Sequence, residues 1–324
     1  MTMNRIDGVL VEWGDRLFYE SNRIVRSRTP VLSGAMVTAR ANALRQRIHA
    51  IVVRNAPQVM VKVTGGGRGM AVIAAHLRYI SKSGRLPFED DRGVVRDGPE
   101  ALRDVIDQWR CGGGRIPEHS ERREAFNIML SMPAGTNPEI LRNAVREFAK
   151  DEFGNHRYVM VLHTHQANPH VHLAVRAEGR DGHRLNPRKQ DLRRWRDVFA
   201  ERLRGWGIEA EASSQVVRGS QYRTDRVWQR KAEDDRRPGR VAGYVEAKLT
   251  PSRRSAAQAW CEIAKALASS DDQEDRKLGQ SVVGYARWLP GVRYKPPGKQ
   301  TQRELPGLDR TLPQRTRTGP EWER

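Results

Sequence analysis

Cysteine is nearly absent from this sequence: Cys111 and Cys261 are the only two in 324 residues, far apart and without CxxC spacing. That scarcity excludes a disulfide framework and a cysteine-based zinc site, and a reducing cytoplasm is the expected compartment. Long apolar runs are missing as well. The opening stretch MTMNRIDGVLVEWGDRLFYESNR interrupts its apolar residues with charges every few positions, so neither a signal peptide nor membrane insertion is expected there. No other stretch is apolar enough to cross a bilayer. Acidic residues are also few, with 39 Asp and Glu against 58 Lys and Arg and a formal net charge of +19. A field of that sign concentrates polyanions, which makes nucleic acid the leading partner, although an arginine excess also follows genome composition.

Enough apolar sequence remains, 38% of the chain, for one core with appendages. Residues 1–55 carry scattered arginines on helix-friendly runs and are expected to form a basic N-terminal extension. Residues 56–215 change character, with alternating apolar segments separated by amphipathic ones. The expected fold class is α+β, an antiparallel sheet flanked by helices, with helical basic extensions. Strands are expected near 58–64, 125–132, 157–165 and 169–177, and helices near 69–82, 98–110, 137–152 and 188–206. Residues 216–290 follow as a basic helical region, with helices near 224–236, 251–268 and 272–288. The Pro-, Gly- and Arg-rich 291–324 is expected to be a disordered tail.

The chemistry concentrates in one hairpin. RYVMVLHTH and HVHLAVR are separated only by Gln166, Ala167, Asn168 and Pro169, a connection of hairpin length made of turn-forming residues. Alternation puts Val159, Val161, His163 and His165 on one face of the first strand and Tyr158, Met160 and Leu162 on the other. His170 and His172 share a face of the second strand. Four of the nine histidines thus converge within ten positions, and three imidazoles suffice for a divalent metal while leaving coordination positions open to a substrate oxygen. A two-histidine phosphoesterase with HxT motifs fits less well: His163-Thr164 starts such a pattern, but the second strand reads His170-Val171-His172-Leu173, with no hydroxyl residue at the third position.

HTHQANPHVHL resembles the third motif of the conjugative relaxases of the HUH endonuclease superfamily, mobilisation class P, VirD2-like. The family's first motif, a tyrosine shortly after the opening strand, is matched by Tyr79 in VKVTGGGRGMAVIAAHLRYISKSG. Its second, a serine after a strand, is matched by Ser131 in FNIMLSMPAG. The resemblance spans about residues 58–215. It implies that His163, His170 and His172 hold Mg2+ or Mn2+, that Tyr79 attacks the DNA, and that Ser131 helps to hold its backbone. The implied partners are single-stranded DNA at an origin of transfer, relaxosome accessory proteins and a type IV coupling protein. One position departs from the family: an acidic residue is usual two positions after the first motif histidine, and here His165 stands there, so that either His165 acts as an additional ligand or orienting group, or a carboxylate from elsewhere fills the role.

On the expected helix 69–82, Met70, Ile73, Ala74, Leu77 and Ile80 form the apolar stripe, leaving Val72, His76, Tyr79 and Lys82 off it. A phenol ordinarily titrates near pH 10, so Tyr79 needs a base or a cationic surrounding, for which His76, His165 and Lys82 are candidates. The preceding TGGGRG, followed by a helix, could cradle a phosphate at the helix N-terminus; it lacks the Walker lysine pattern, and a turn or close approach of the DNA backbone is the better fit, with Arg68 and Lys82 as DNA contacts. A rolling-circle replication initiator would share this metal hairpin and tyrosine. A non-catalytic DNA-binding protein would keep the histidines as a structural cluster.

Overall fold

The computed structural model describes residues 5–18, 34–112, 114–214, 216–218, 250–287 and 289. Within them the chain folds as α1 (Arg5–Phe18), α2 (Gly34–Val52), β1 (Met60–Gly67), α3 (Met70–Ile80), β2 (Phe88–Asp90), β3 (Val95–Arg96), α4 (Pro99–Cys111), β4 (Ala125–Ser131), α5 (Pro138–Phe153), β5 (His156–His163), β6 (His170–Gly179), α6 (Lys189–Gly205), α7 (Pro251–Ala268) and α8 (Gln273–Ala286). The six strands form one antiparallel sheet in the order β1-β4-β6-β5-β2-β3. This is the α+β class expected from the pattern; the short β2 and β3 carry too few residues to announce themselves by alternation. The expected helix near 224–236 and the tail 291–324 lie outside the described residues. Among the described residues, no helix is long and apolar enough to cross a membrane.

Helices cover both faces of the sheet, so the core has two layers. On one side Leu130, Tyr158, Leu173 and Val175 pack with Val145 and Phe148 of α5 and Trp195 and Phe199 of α6. On the other, Val159, Val161 and Ala174 pack with Ile73 and Leu77 of α3 and Val105 and Trp109 of α4. The parity read along β5 is met: Val159 and Val161 face one layer, Tyr158 and Met160 the other. Helix starts follow their caps; Asn137 accepts from the amides of Glu139 and Ile140, and Pro138 occupies the first turn, where its missing N–H costs nothing.

A third core joins the first two described helices to the last two. Leu10, Ala41, Ile48, Trp260, Ile263 and Val282 bury together, bringing α1 and α2 against α7 and α8. Arg45 of α2 ties this cluster, reaching Asp7 of α1 at 2.8 Å and Asp275 of α8 at 2.7 Å, with both carboxylates buried. Arg47 then links α2 to Glu211 at 2.6 Å and to Asp197 of α6 at 3.2 Å.

Two local expectations change. The strand expected to stop at 64 continues through three glycines to Gly67, pairing Gly65, Gly66 and Gly67 with Asn127, Phe126 and Ala125 after a register shift. Close neighbours explain the glycines: a Cβ on Gly66 would lie 2.5 Å from Cδ of Arg123, and one on Gly67 would collide with Ile73. The first amides of α3 do not cradle a phosphate either, since Met70 and Ala71 N–H already donate to Pro117 and Glu118 carbonyls at 2.9 and 3.2 Å.

Candidate active site

The hairpin places its histidines by register. His163 pairs directly with His170 across β5 and β6, and His172 sits opposite Val161, so all three side chains rise from the face that carries α3. Their ring centroids lie 5.1 Å (His163–His170), 4.6 Å (His163–His172) and 5.1 Å (His170–His172) apart. One nitrogen from each falls within 4.8 Å of the others, a spacing that a single ion can bridge.

The electrostatics suit a cation ligand set. Burial, with the repulsion of His163, His170, His76 and His165 added, pushes the His172 imidazole down to about 3. Burial likewise lowers His163 and His170 from their ordinary value, against the hydrogen bonds they make to Ile80 and Asn168. All three are therefore neutral near pH 7, with lone pairs free to donate. Two are oriented by backbone carbonyls, which can only accept: His163 donates from Nε2 to Ile80 O at 2.6 Å and His170 from Nδ1 to Asn168 O at 3.1 Å. In each ring the other nitrogen is left as the donor atom for a metal. The residues present thus fit a divalent ion.

His165 does not share the strand position expected for it. β5 ends at His163, and His165 lies exposed in the turn beyond it. Its ring still stays 5.1 Å from His163 and 6.2 Å from His170, at the margin of the triad.

Helix α3 brings the tyrosine to the same end of the sheet. Its last residue, Ile80, supplies the carbonyl that holds His163, and Tyr79 precedes it with 74% of its surface exposed. His76, one turn earlier, lies between: its ring is 6.5 Å from Tyr79, roughly parallel, and 6.5 Å from His172, edge-on. Nε2 of His76 is buried without a hydrogen-bond partner among the described residues, and burial lowers its pKa. The helix then closes through Lys82 and Ser83 at φ 49° and 60°, conformations that side chains seldom adopt and that cluster where geometry is functionally constrained. Buried Ser81 braces this turn, donating to Leu77 O at 2.7 Å and accepting from Gly84 N–H at 3.1 Å.

The remaining expected site residues separate. Ser131 pairs with His170 across β4 and β6, but its hydroxyl is buried and donates to the Pro169 carbonyl at 3.3 Å, tying the hairpin to β4. Lys82 is exposed just beyond Tyr79, and its charge reaches His163. Arg68 is exposed at the opposite end of α3, about 15 Å of helix away from Tyr79. One residue was passed over in the sequence: Lys62, exposed on β1, pairs with Met129, which pairs with His172, so it belongs to the histidine face. Its place between Val61 and Val63, alternating with two apolar neighbours, was the available signal.

Residues 93–208 match the family model of the relaxase MobA/VirD2-like nuclease domain. That segment contains Ser131 and all four hairpin histidines, while Arg68, Tyr79 and Lys82 precede it. The chain is also 26% identical over 182 residues to the T-DNA border endonuclease VirD2 of Rhizobium radiobacter, covering 50% of this chain and 43% of that protein. The VirD2 proteins of Rhizobium rhizogenes and Agrobacterium fabrum are again 26% identical over 182 residues, with 42% and 41% of their lengths covered. The chain thus spans less than half the length of these curated relatives. Over residues 93–208, which hold the histidine hairpin, this chain is similar to the nuclease domain of the MobA/VirD2-like relaxases, and over half its length it resembles the VirD2 border endonucleases.

Proposed function

We propose that this chain nicks one strand of DNA at an origin of transfer, using Tyr79 as nucleophile and Mg2+ or Mn2+ held by His163, His170 and His172. The observation that carries this is the meeting of three neutral imidazoles, within 4.8 Å of one another, with the end of α3 that presents an exposed tyrosine. The likeness to border endonucleases supports DNA as the substrate, and the net charge of +19 supports a polyanion.

A bound divalent ion would polarise a non-bridging oxygen of the scissile phosphate and offset the charge that builds there. The chain's own groups do the rest. Tyr79 Oη forms a bond to phosphorus and the bond to the 3′ oxygen breaks. The phenol proton passes to a neighbouring imidazole, and the departing oxygen takes up a proton. DNA remains joined through its 5′ phosphate to Tyr79, with a free 3′ hydroxyl. One ester has replaced another, so the step can run backwards and reseal the strand. His76 is the imidazole beside Tyr79; His165 sits at the edge of the triad, where it can orient a phosphate or carry a proton. Lys82 and Arg68 would contact the DNA backbone, and Ser131 would act by bracing the hairpin. In the cytoplasm, relaxosome accessory proteins and a type IV coupling protein would complete mobilisation of a plasmid or integrative element.

The test is incubation of the full chain with supercoiled plasmid carrying its element's origin, plus Mg2+ or Mn2+, followed by a denaturing gel. A nicked circle with protein covalently attached is expected; nicking that persists unchanged after thorough chelation, or nicking without an adduct, would overturn the proposal.

A further inference from the structure

A cavity of about 520 Å³ opens on the sheet face opposite the histidines, near the far end of β4. Val63, Phe126 and Leu185 form its apolar wall, and Arg122, Arg123 and Arg184 line it. Phe126 and Ser131 stand five positions apart on β4, about 17 Å of strand, so this is not an extension of the triad. β1 is an edge strand of the sheet, and the cavity lies beside it.

The charges there are unbalanced. Buried Glu124 binds Arg122 at 2.9 Å and Arg184 at 3.1 Å. Burial works against ionisation of Glu124, yet Ser120, Arg122 and Arg184 together hold its carboxyl below the ordinary range. Arg184 also reaches Glu178 at 3.4 Å, so two carboxylates face three guanidiniums. Arg123 has no carboxylate partner among the described residues; its guanidinium lies 5.1 Å above the Phe126 ring. Gly66 makes that position available, because a Cβ there would meet Arg123 at Cδ (2.5 Å) and Nε (2.8 Å). An exposed, planar cation lying on an aromatic ring offers its other face to a nucleobase, and the adjoining guanidiniums suit a phosphate. The volume is in the range of small-ligand sites.

We infer that this cavity is a second nucleic-acid subsite, which holds one nucleotide of single-stranded DNA with its base on Arg123 and its phosphate at the arginine rim. The strand would reach it over the β1 edge. The inference rests on the proposed nicking function only for the identity of the strand as DNA.

The experiment measures binding of a short fluorescein-labelled oligothymidylate to the full chain over a series of salt concentrations, with free thymidine monophosphate as competitor. Arg123→Ala is expected to weaken binding at least about fivefold, as loss of one stacked base does, and to shallow the salt slope by about one. Arg123→Lys should restore the slope but only part of the affinity, since an ammonium cannot stack. Unchanged binding by Arg123→Ala, or full recovery with lysine, would overturn the subsite. Competition by the mononucleotide at the concentration of the oligonucleotide would also overturn it, by showing a free-nucleotide site. The same preparations are assayed for nicking. A wild type that binds through Arg123 but never nicks defeats the nicking proposal and leaves the subsite standing, and normal nicking with Arg123 irrelevant to binding does the reverse.

Discussion

Replacing Tyr79 with phenylalanine separates covalent strand transfer from hydrolysis by metal-activated water, which three histidines alone can also support. The substitution keeps the ring and removes one oxygen. With 74% of the residue exposed, that oxygen contributes little to folding; substitutions at such positions change stability by no more than about 0.5 kcal/mol, a melting shift of about 2 °C or less for a chain of this size. The ring stays beside His76, and the carbonyl of Ile80 stays on His163. Chemistry, by contrast, should stop. Other tyrosines are poor substitutes: the Tyr158 hydroxyl is pushed up to about 12 by burial, reinforced by Asp91, Glu89 and Asp90, and burial also pushes Tyr285 up to about 12. Tyr222 lies outside the described residues and is the main rival. The assay is a single-stranded origin oligonucleotide, a denaturing gel and mass spectrometry of the digested adduct. Wild type should carry DNA on the peptide containing Tyr79, and Tyr79→Phe none. DNA on Tyr222, or full nicking by Tyr79→Phe, would refute the assignment.

His172→Ala should abolish nicking and Mn2+ binding, measured by calorimetry, while oligonucleotide binding changes less than about threefold because backbone contacts dominate affinity; normal cleavage by this variant would remove the metal mechanism. Metal-free protein should lose stability as the pH falls below about 6.5, since the unfolded chain takes up a proton that the buried His172 refuses down to about 3. By linkage that is about 1 kcal/mol from His172 alone at pH 5.5, and melts of chelated protein that do not move between pH 7.5 and 5.5 would contradict it. Arg45→Ala leaves Asp7 and Asp275 buried without their cation, so it should destabilise the helical cluster by about 3 kcal/mol. Urea unfolding followed by the fluorescence of Trp260, which is buried in that cluster, reads the loss.

Much of the fold was legible because its elements follow simple periods. The stripe Met70, Ile73, Ala74, Leu77, Ile80 gave α3 and is the face it buries. The two-residue period of RYVMVLHTH and HVHLAVR gave β5, β6 and the side on which His163, His170 and His172 converge. Local pattern falls short where the chain ends an element for reasons outside itself. His165 continues the alternation in sequence, yet the strand has already stopped at His163. The three glycines look like a turn, yet they are a strand packed against Arg123 and Ile73.

The sequence by itself determined which side chains each strand and helix would present, since that depends only on parity and the helical repeat. Tertiary structure alone decided what those side chains meet. No local rule brings the Ile80 carbonyl onto His163, seats His76 between Tyr79 and His172, or closes α1 and α2 against α7 and α8 through Arg45. Each joins residues far apart in the chain, and the packing of apolar faces, which is non-directional over short stretches of sequence, selects the partner only when the whole core is assembled.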